Sequence, residues 1–161
     1  MSSKKTLKVL FVCLGNICRS PAAHGTMLHI LSQKSISNVE VDSCGTGSWH
    51  SGDLPDSRMR KAAKSRGIEL THRARQLNKS DFTSFDLIIT MDDDNYSTVL
   101  GRGAPKDKVK KMIDFVSDKK GNDEIPDPYY GGEDGFHLVL DLVYDGCTNI
   151  LKQYGYLKPT E

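Results

Sequence analysis

The chain has no apolar run of membrane-spanning length. It has only 4 cysteines and 1 tryptophan in 161 residues, and a net charge of just +1 at neutral pH. Each scarcity closes off a class of function. With no membrane-length run, and with Met1 to Lys8 polar and lysine-bearing where a secretory core would stand, a cytoplasmic location is expected. A balance of 22 basic against 21 acidic residues gives no electrostatic footprint for nucleic acid or an anionic membrane surface. Cys13, Cys18, Cys44 and Cys147 are too few and too scattered for a secreted disulfide scaffold. In a reducing compartment they are free thiols, ligands or catalysts. Internal repeats, low-complexity tracts and dividing linkers are also lacking, so one domain over residues 1–161 is expected, large enough to bury a real core.

What is present is an alternation of strand and helix signals. Leu7 to Val12, Val39 to Ser43, Asp86 to Met91 and Val109 to Phe115 read as strands, the second alternating enough to be an edge. Between them Pro55-Asp56 opens a helix carrying Met59, Ala62 and Ala63 on one face, and Gly67-Ile68 closes it with a Schellman-type cap. Phe136, Leu140, Val143, Cys147, Ile150 and Leu151 recur at three- and four-residue steps and predict a long C-terminal amphipathic helix. The pattern predicts an α/β single-domain, three-layer fold with a four-stranded parallel sheet flanked by helices. Such sheets bind ligands at the carboxyl ends of their strands.

The first strand ends on Cys13, and the stretch VLFVCLGNICRSPAAHG from Val9 to Gly25 passes from strand through loop to helix. Ser20 and Pro21 read as a helix start, a capping hydroxyl followed by a residue whose missing N–H is not needed there. The loop Cys13-Leu14-Gly15-Asn16-Ile17-Cys18-Arg19 then reads as an anion cradle of successive amides plus the positive end of a helix. Gly15 takes a left-handed conformation freely and Asn16 tolerates one. Arg19 supplies a planar fork matched to phosphate oxygens. Amides, helix end and guanidinium together should hold Cys13 as a thiolate at neutral pH, and a nucleophile inside a phosphate cradle points to phosphoryl transfer to sulfur. Against this stand an inert buried thiol at a strand end, and a Cys-x4-Cys half of a zinc or redox site. Cys44 and Cys147 lack the paired spacing that the second would need, and no histidine cluster completes the ligands.

VCLGNICRSP closely resembles the signature of the low-molecular-weight protein tyrosine phosphatases, and IPDPYYGG at Ile125 to Gly132 resembles that family's second motif. DSCGTGSWHSGDLPDSR, GIELTHRARQL and ITMDDDN follow in the family's order and spacing, so the likeness spans nearly the whole chain. It implies hydrolysis of phosphotyrosine in proteins and of small aryl phosphates through a cysteinyl-phosphate, with inorganic phosphate as product and no metal or other cofactor. Cys13 would be the nucleophile, Arg19 the phosphate clamp, and the amides of Leu14, Gly15, Asn16, Ile17 and Cys18 the oxygen cradle.

An aryl phosphate also needs an acid for its leaving phenolate and a base for the water that follows. Asp92, Asp93, Asp94, Asp123, Asp127 and Asp134 all compete on sequence alone. Asp127 sits between Pro126 and Pro128, a stiff extended mount that equally suits a simple turn, and the resemblance assigns it the acid's role. The likeness also makes Trp49 and Tyr129 rim residues that grip an aromatic ring. It makes Asn16, Ser20, Ser43 and His72 a network supporting the loop. Two positions depart from the family: His24 stands where Glu is common, and His50 where Asn is frequent. The Asp92-Asp93-Asp94 run reads as a solvated helix start. Arsenate reductases and protein arginine phosphatases resemble the same fold. The first need paired downstream cysteines not seen here, and relatives of the second carry Thr where this chain has Ile17. The resemblance further implies that Cys18 protects an oxidised Cys13 by pairing with it.

Overall fold

The computed structural model describes residues 5–128 and 131–160. Four parallel strands, β1 (Leu7–Cys13), β2 (Val39–Gly45), β3 (Leu87–Thr90) and β4 (Val109–Lys111), lie in the order β2-β1-β3-β4. Val9 pairs with Val41 on one side and Leu87 on the other, so β1 is central. The period of two divides its side chains between two cores. Leu7, Val9, Phe11 and Cys13 face a layer built from α1 (Arg19–Gln33), α2 (Ser57–Lys64) and α5 (Glu133–Gln153). Leu10 and Val12 face the opposite layer, with Phe82 of α3 (Asp81–Ser84) and Val99 of α4 (Asp93–Gly101). The three layers are those expected, and no helix among the described residues is long and apolar enough to cross a membrane.

The helix signals hold where the chemistry is local. Asp56 caps α2 through its carboxylate on the Arg58 N–H at 2.8 Å. Gly67, at φ +80°, ends the helix with the Ile68 N–H returned to the Ala63 carbonyl. All six periodic positions of α5 are buried.

Strand ends shift by a residue or two, with β2 running on to Gly45 and β3 covering only Leu87–Thr90, and two further differences have a clear physical cause. The run Val109 to Phe115 is strand only to Lys111, and Met112–Phe115 is a 3₁₀ turn. Met112 packs against α5 at Gly146, where a Cβ would lie 2.5 Å from its sulfur. Asn149 of α5 donates to the Phe115 carbonyl at 2.7 Å. A short buried apolar run carries no period that separates strand from turn, and the contact with α5 decides it. The first helix begins at Arg19 with Cys18 at its cap, not at Ser20, because the Ser20 hydroxyl is turned into the loop and makes no cap bond.

The sheet order reverses direction at β1, whose neighbours β2 and β3 are both reached by crossovers. The carboxyl end of β1 is therefore the topological switch point, where a ligand crevice opens.

Candidate active site

β1 delivers Cys13 to this crevice, where the residue is 3% exposed. The Asn16 N–H points at the Cys13 sulfur at 3.3 Å, and the Ser20 hydroxyl lies 3.0 Å from it. The amide donates to the sulfur, and the hydroxyl sets a second hydrogen-bonding group beside it. The curl that aims the Asn16 amide inward needs a left-handed residue. Asn16 itself takes it, at φ 57°, while Gly15 does not. Gly15 is small for another reason: a Cβ there would stand 3.1 Å from the His50 ring.

Beneath the loop Asn16 is wholly buried and fully used. Its amide nitrogen donates to Ser20 Oγ at 2.8 Å and Ser43 Oγ at 3.1 Å, and its oxygen accepts the Arg75 N–H at 3.0 Å. Asn16 thus underpins the loop and does not line its cavity. Ser43 links onward to His24 Nδ1 at 2.9 Å, and its carbonyl accepts from His72 Nε2 at 3.0 Å. His24, named above only as a departure from the family, is the imidazole that touches the serine hydroxyl. Burial, aided by the neighbouring His72, pulls its pKa down to about 4.

Arg19, on the first turn of α1, is 4% exposed. Its Nη1 donates to Asp92 Oδ2 at 2.7 Å and to the Ile125 carbonyl at 3.1 Å. Burial works against its charge, yet Cys13, Asp92 and Asp127 outweigh that and hold the guanidinium above the ordinary arginine value. Asp92 is therefore not a solvated residue. It caps α4 by accepting the Asn95 N–H at 2.7 Å with one oxygen and anchors Arg19 with the other. The acidic run before a helix was its sequence signal, but nothing local pointed to Arg19, 73 residues away.

The cavity occupies about 310 Å³ and is lined by Cys13, Leu14, Gly15, Ile17, Cys18, Arg19, Trp49, His50 and Asp127. Asp127 Oδ2 lies 3.9 Å from Arg19 Nη2. Trp49 is 72% exposed at the rim, and Gly47 makes room for its ring, which a Cβ would strike. His50, the second departure from the family, joins the lining and lies 3.2 Å from Asp53. Tyr129 lies outside the described residues. Cys18 is buried, and burial, with Asp56, Cys13 and Asp127 adding to it, pushes its thiol well up.

Known proteins resemble the chain in both sequence and fold. Residues 8–157 match the model of the low molecular weight phosphotyrosine protein phosphatases. A relative named low molecular weight phosphotyrosine protein phosphatase 1, from Drosophila melanogaster, is 41% identical, with 91% of this chain and 96% of that protein covered. A crystal structure of a protein tyrosine phosphatase from Entamoeba histolytica superposes with a TM-score of 0.87 at 47% identity, covering 94% of this chain and 100% of that one. The crystal structure of a Drosophila arginine phosphatase superposes with a TM-score of 0.85 at 30% identity, covering 92% and 98%. The chain belongs to the low molecular weight phosphotyrosine protein phosphatase family.

Proposed function

We propose that the protein hydrolyses phosphotyrosine in proteins, and small aryl phosphates, through a phosphorylated Cys13. The observation that carries this reading is the meeting of Cys13, Arg19 and Asp127 on one cavity at the sheet's switch point. Cys13 attacks phosphorus as the aryl oxygen leaves, and Asp127 gives that oxygen its proton. The resulting carboxylate takes a proton from the attacking water, the sulfur–phosphorus bond breaks, and inorganic phosphate departs. Both hydrogens of Arg19 Nη1 are engaged by Asp92 and the Ile125 carbonyl, which leaves the Nε and Nη2 edge to fork onto two phosphate oxygens. Loop amides receive the remaining charge without reorganising. No step calls for a metal or other cofactor.

Trp49 and Ile17 supply apolar surface for an aromatic ring. The arginine phosphatase among the structural relatives makes phosphoarginine the second substrate to test. Cys44 and Cys147 are wholly buried, which argues against an arsenate-reducing disulfide relay. Four cysteines, none in a disulfide, suit the reducing cytoplasm. The test is a comparison of initial rates on phosphotyrosine, phosphoserine and phosphoarginine peptides with chelator present, using wild type and Cys13→Ser. Phosphotyrosine should turn over fastest and Cys13→Ser should be inert on all three. Turnover by the serine variant above about a tenth of wild type, only ~1.4 kcal/mol of barrier, would remove Cys13 from the mechanism.

A further inference from the structure

A second cluster of chemistry-bearing side chains lies behind the loop, outside the cavity where Cys13 sits. His24 projects from α1, Asp42 from the edge strand β2, and His72 from the segment after α2. One donor atom from each lies within 4.8 Å of the other two. The two imidazole rings are 4.8 Å apart, centroid to centroid. His72 Nδ1 faces Asp42 Oδ1 at 3.6 Å.

We propose that His24, Asp42 and His72 form a binding site for a borderline-soft divalent transition metal ion, with zinc as the probe of choice. Two imidazoles and one carboxylate with an open position make a donor set suited to such an ion and poor for magnesium or calcium. Tetrahedral zinc with bonds of about 2.0–2.2 Å sets its ligands roughly 3.4 Å apart. The His72 and Asp42 atoms already stand at nearly that spacing, and a donor atom of His24 lies within 4.8 Å of both.

The surroundings supply the outer partners that metal ligands require. His72 Nε2–H donates to the Ser43 carbonyl, which fixes the tautomer and leaves Nδ1 with its lone pair. Asp42 Oδ2 is held by Arg75 Nε at 3.1 Å and Nη2 at 3.0 Å, while Oδ1 accepts the Ser43 N–H. His24 has Nδ1 against Ser43 Oγ, and that oxygen has lone pairs for both His24 and Asn16. Nε2 is then the ligand. An entry path also exists: a cleft of about 230 Å³ is lined by His24, Glu69, Leu70 and His72. The cluster grips Ser43 on three sides, so the ion would brace the residue that props Asn16.

The test uses full-length protein carrying Cys13→Ser and Cys18→Ser, so that no cavity thiol competes for metal. Zinc is titrated while ring signals of the five histidines are followed by NMR. Saturable shifts of His24 and His72 near one equivalent, with His29, His50 and His137 unmoved and no response to magnesium, are expected. Calorimetry of His24→Gln and Asp42→Asn should show zinc binding weakened by at least about 100-fold for the histidine. Shifts confined to the other histidines, an equal response to magnesium, or none at millimolar zinc would overturn the site. The titration needs no ligand variant to fold, so its outcome holds whatever those substitutions do to stability.

Discussion

Asp127 stands half exposed across the cavity from Arg19, between two prolines that stiffen its backbone. A carboxyl group there matters in proportion to how badly the leaving group needs a proton. Asp127→Ala should slow phenyl phosphate by about 10²–10⁴-fold and p-nitrophenyl phosphate far less, since the nitrophenolate departs unaided. Equal losses on both, with phosphorylation of Cys13 shown to limit each rate, would assign the proton elsewhere. Cys18 calls for a different experiment. Peroxide would convert Cys13 to a sulfenic acid, which a neighbouring thiol condenses with to form a disulfide and water. Burial keeps Cys18 protonated and hence inert toward substrate. Wild type should therefore lose activity to peroxide and regain it with dithiothreitol, whereas Cys18→Ser should be active but lost for good. Peptide mapping that finds no Cys13–Cys18 bridge in the oxidised enzyme would end the idea. Cys13 and Arg19 could be singled out from residue type and setting, whereas Asp127 stood among six competing acids until the family resemblance picked it out. His24 could not be, because it lies on α1 while its partner Ser43 comes from β2.

At the level of elements, α4 reaches the site through its cap. Asp92 accepts from Asn95 with one oxygen and from Arg19 with the other, so the start of a helix on one face orients a guanidinium on α1. The two roles separate by substitution, because asparagine caps nearly as well as aspartate while alanine does not. Asp92→Asn and Asp92→Ala should both weaken phosphate inhibition and cut kcat/KM by about tenfold or more, ~1.4 kcal/mol. Only the alanine variant should lose a further ~1 kcal/mol in denaturant unfolding from the cap. An asparagine variant with wild-type phosphate affinity would leave Asp92 a cap and nothing more. Sequence signals were dependable for the ends of α2 and the buried face of α5, where the cap or the period is local. They failed at Ser20, whose hydroxyl serves the loop instead of the helix, and at Met112–Phe115, where packing on α5 sets the backbone.

On the scale of the molecule, the sheet order was open to inference only as a class. Alternating strands and helices imply a parallel sheet, but pairing partners are set by which faces bury together. The structure joins two cores through β1, and both end at the loop that follows it: Phe11 and Cys13 close one, Val12 the other. The Asn16 network also ties β2 to the loop, and Gly45 at the end of β2 lies so close that a Cβ would sit 2.8 Å from the Leu14 carbonyl oxygen. A ligand that organises this loop therefore binds only the folded chain. By mass action, inorganic phosphate at a hundred times its dissociation constant should add about 2.7 kcal/mol to stability. For a chain of this size that corresponds to a rise in Tm of about 5–10 °C. The rise should vanish in Arg19→Ala and persist in Cys13→Ser, which keeps the cradle but lacks the nucleophile. Calorimetric scans of the three proteins decide it: a wild-type Tm that ignores phosphate at concentrations that fully inhibit turnover would mean that the loop is not the binding site.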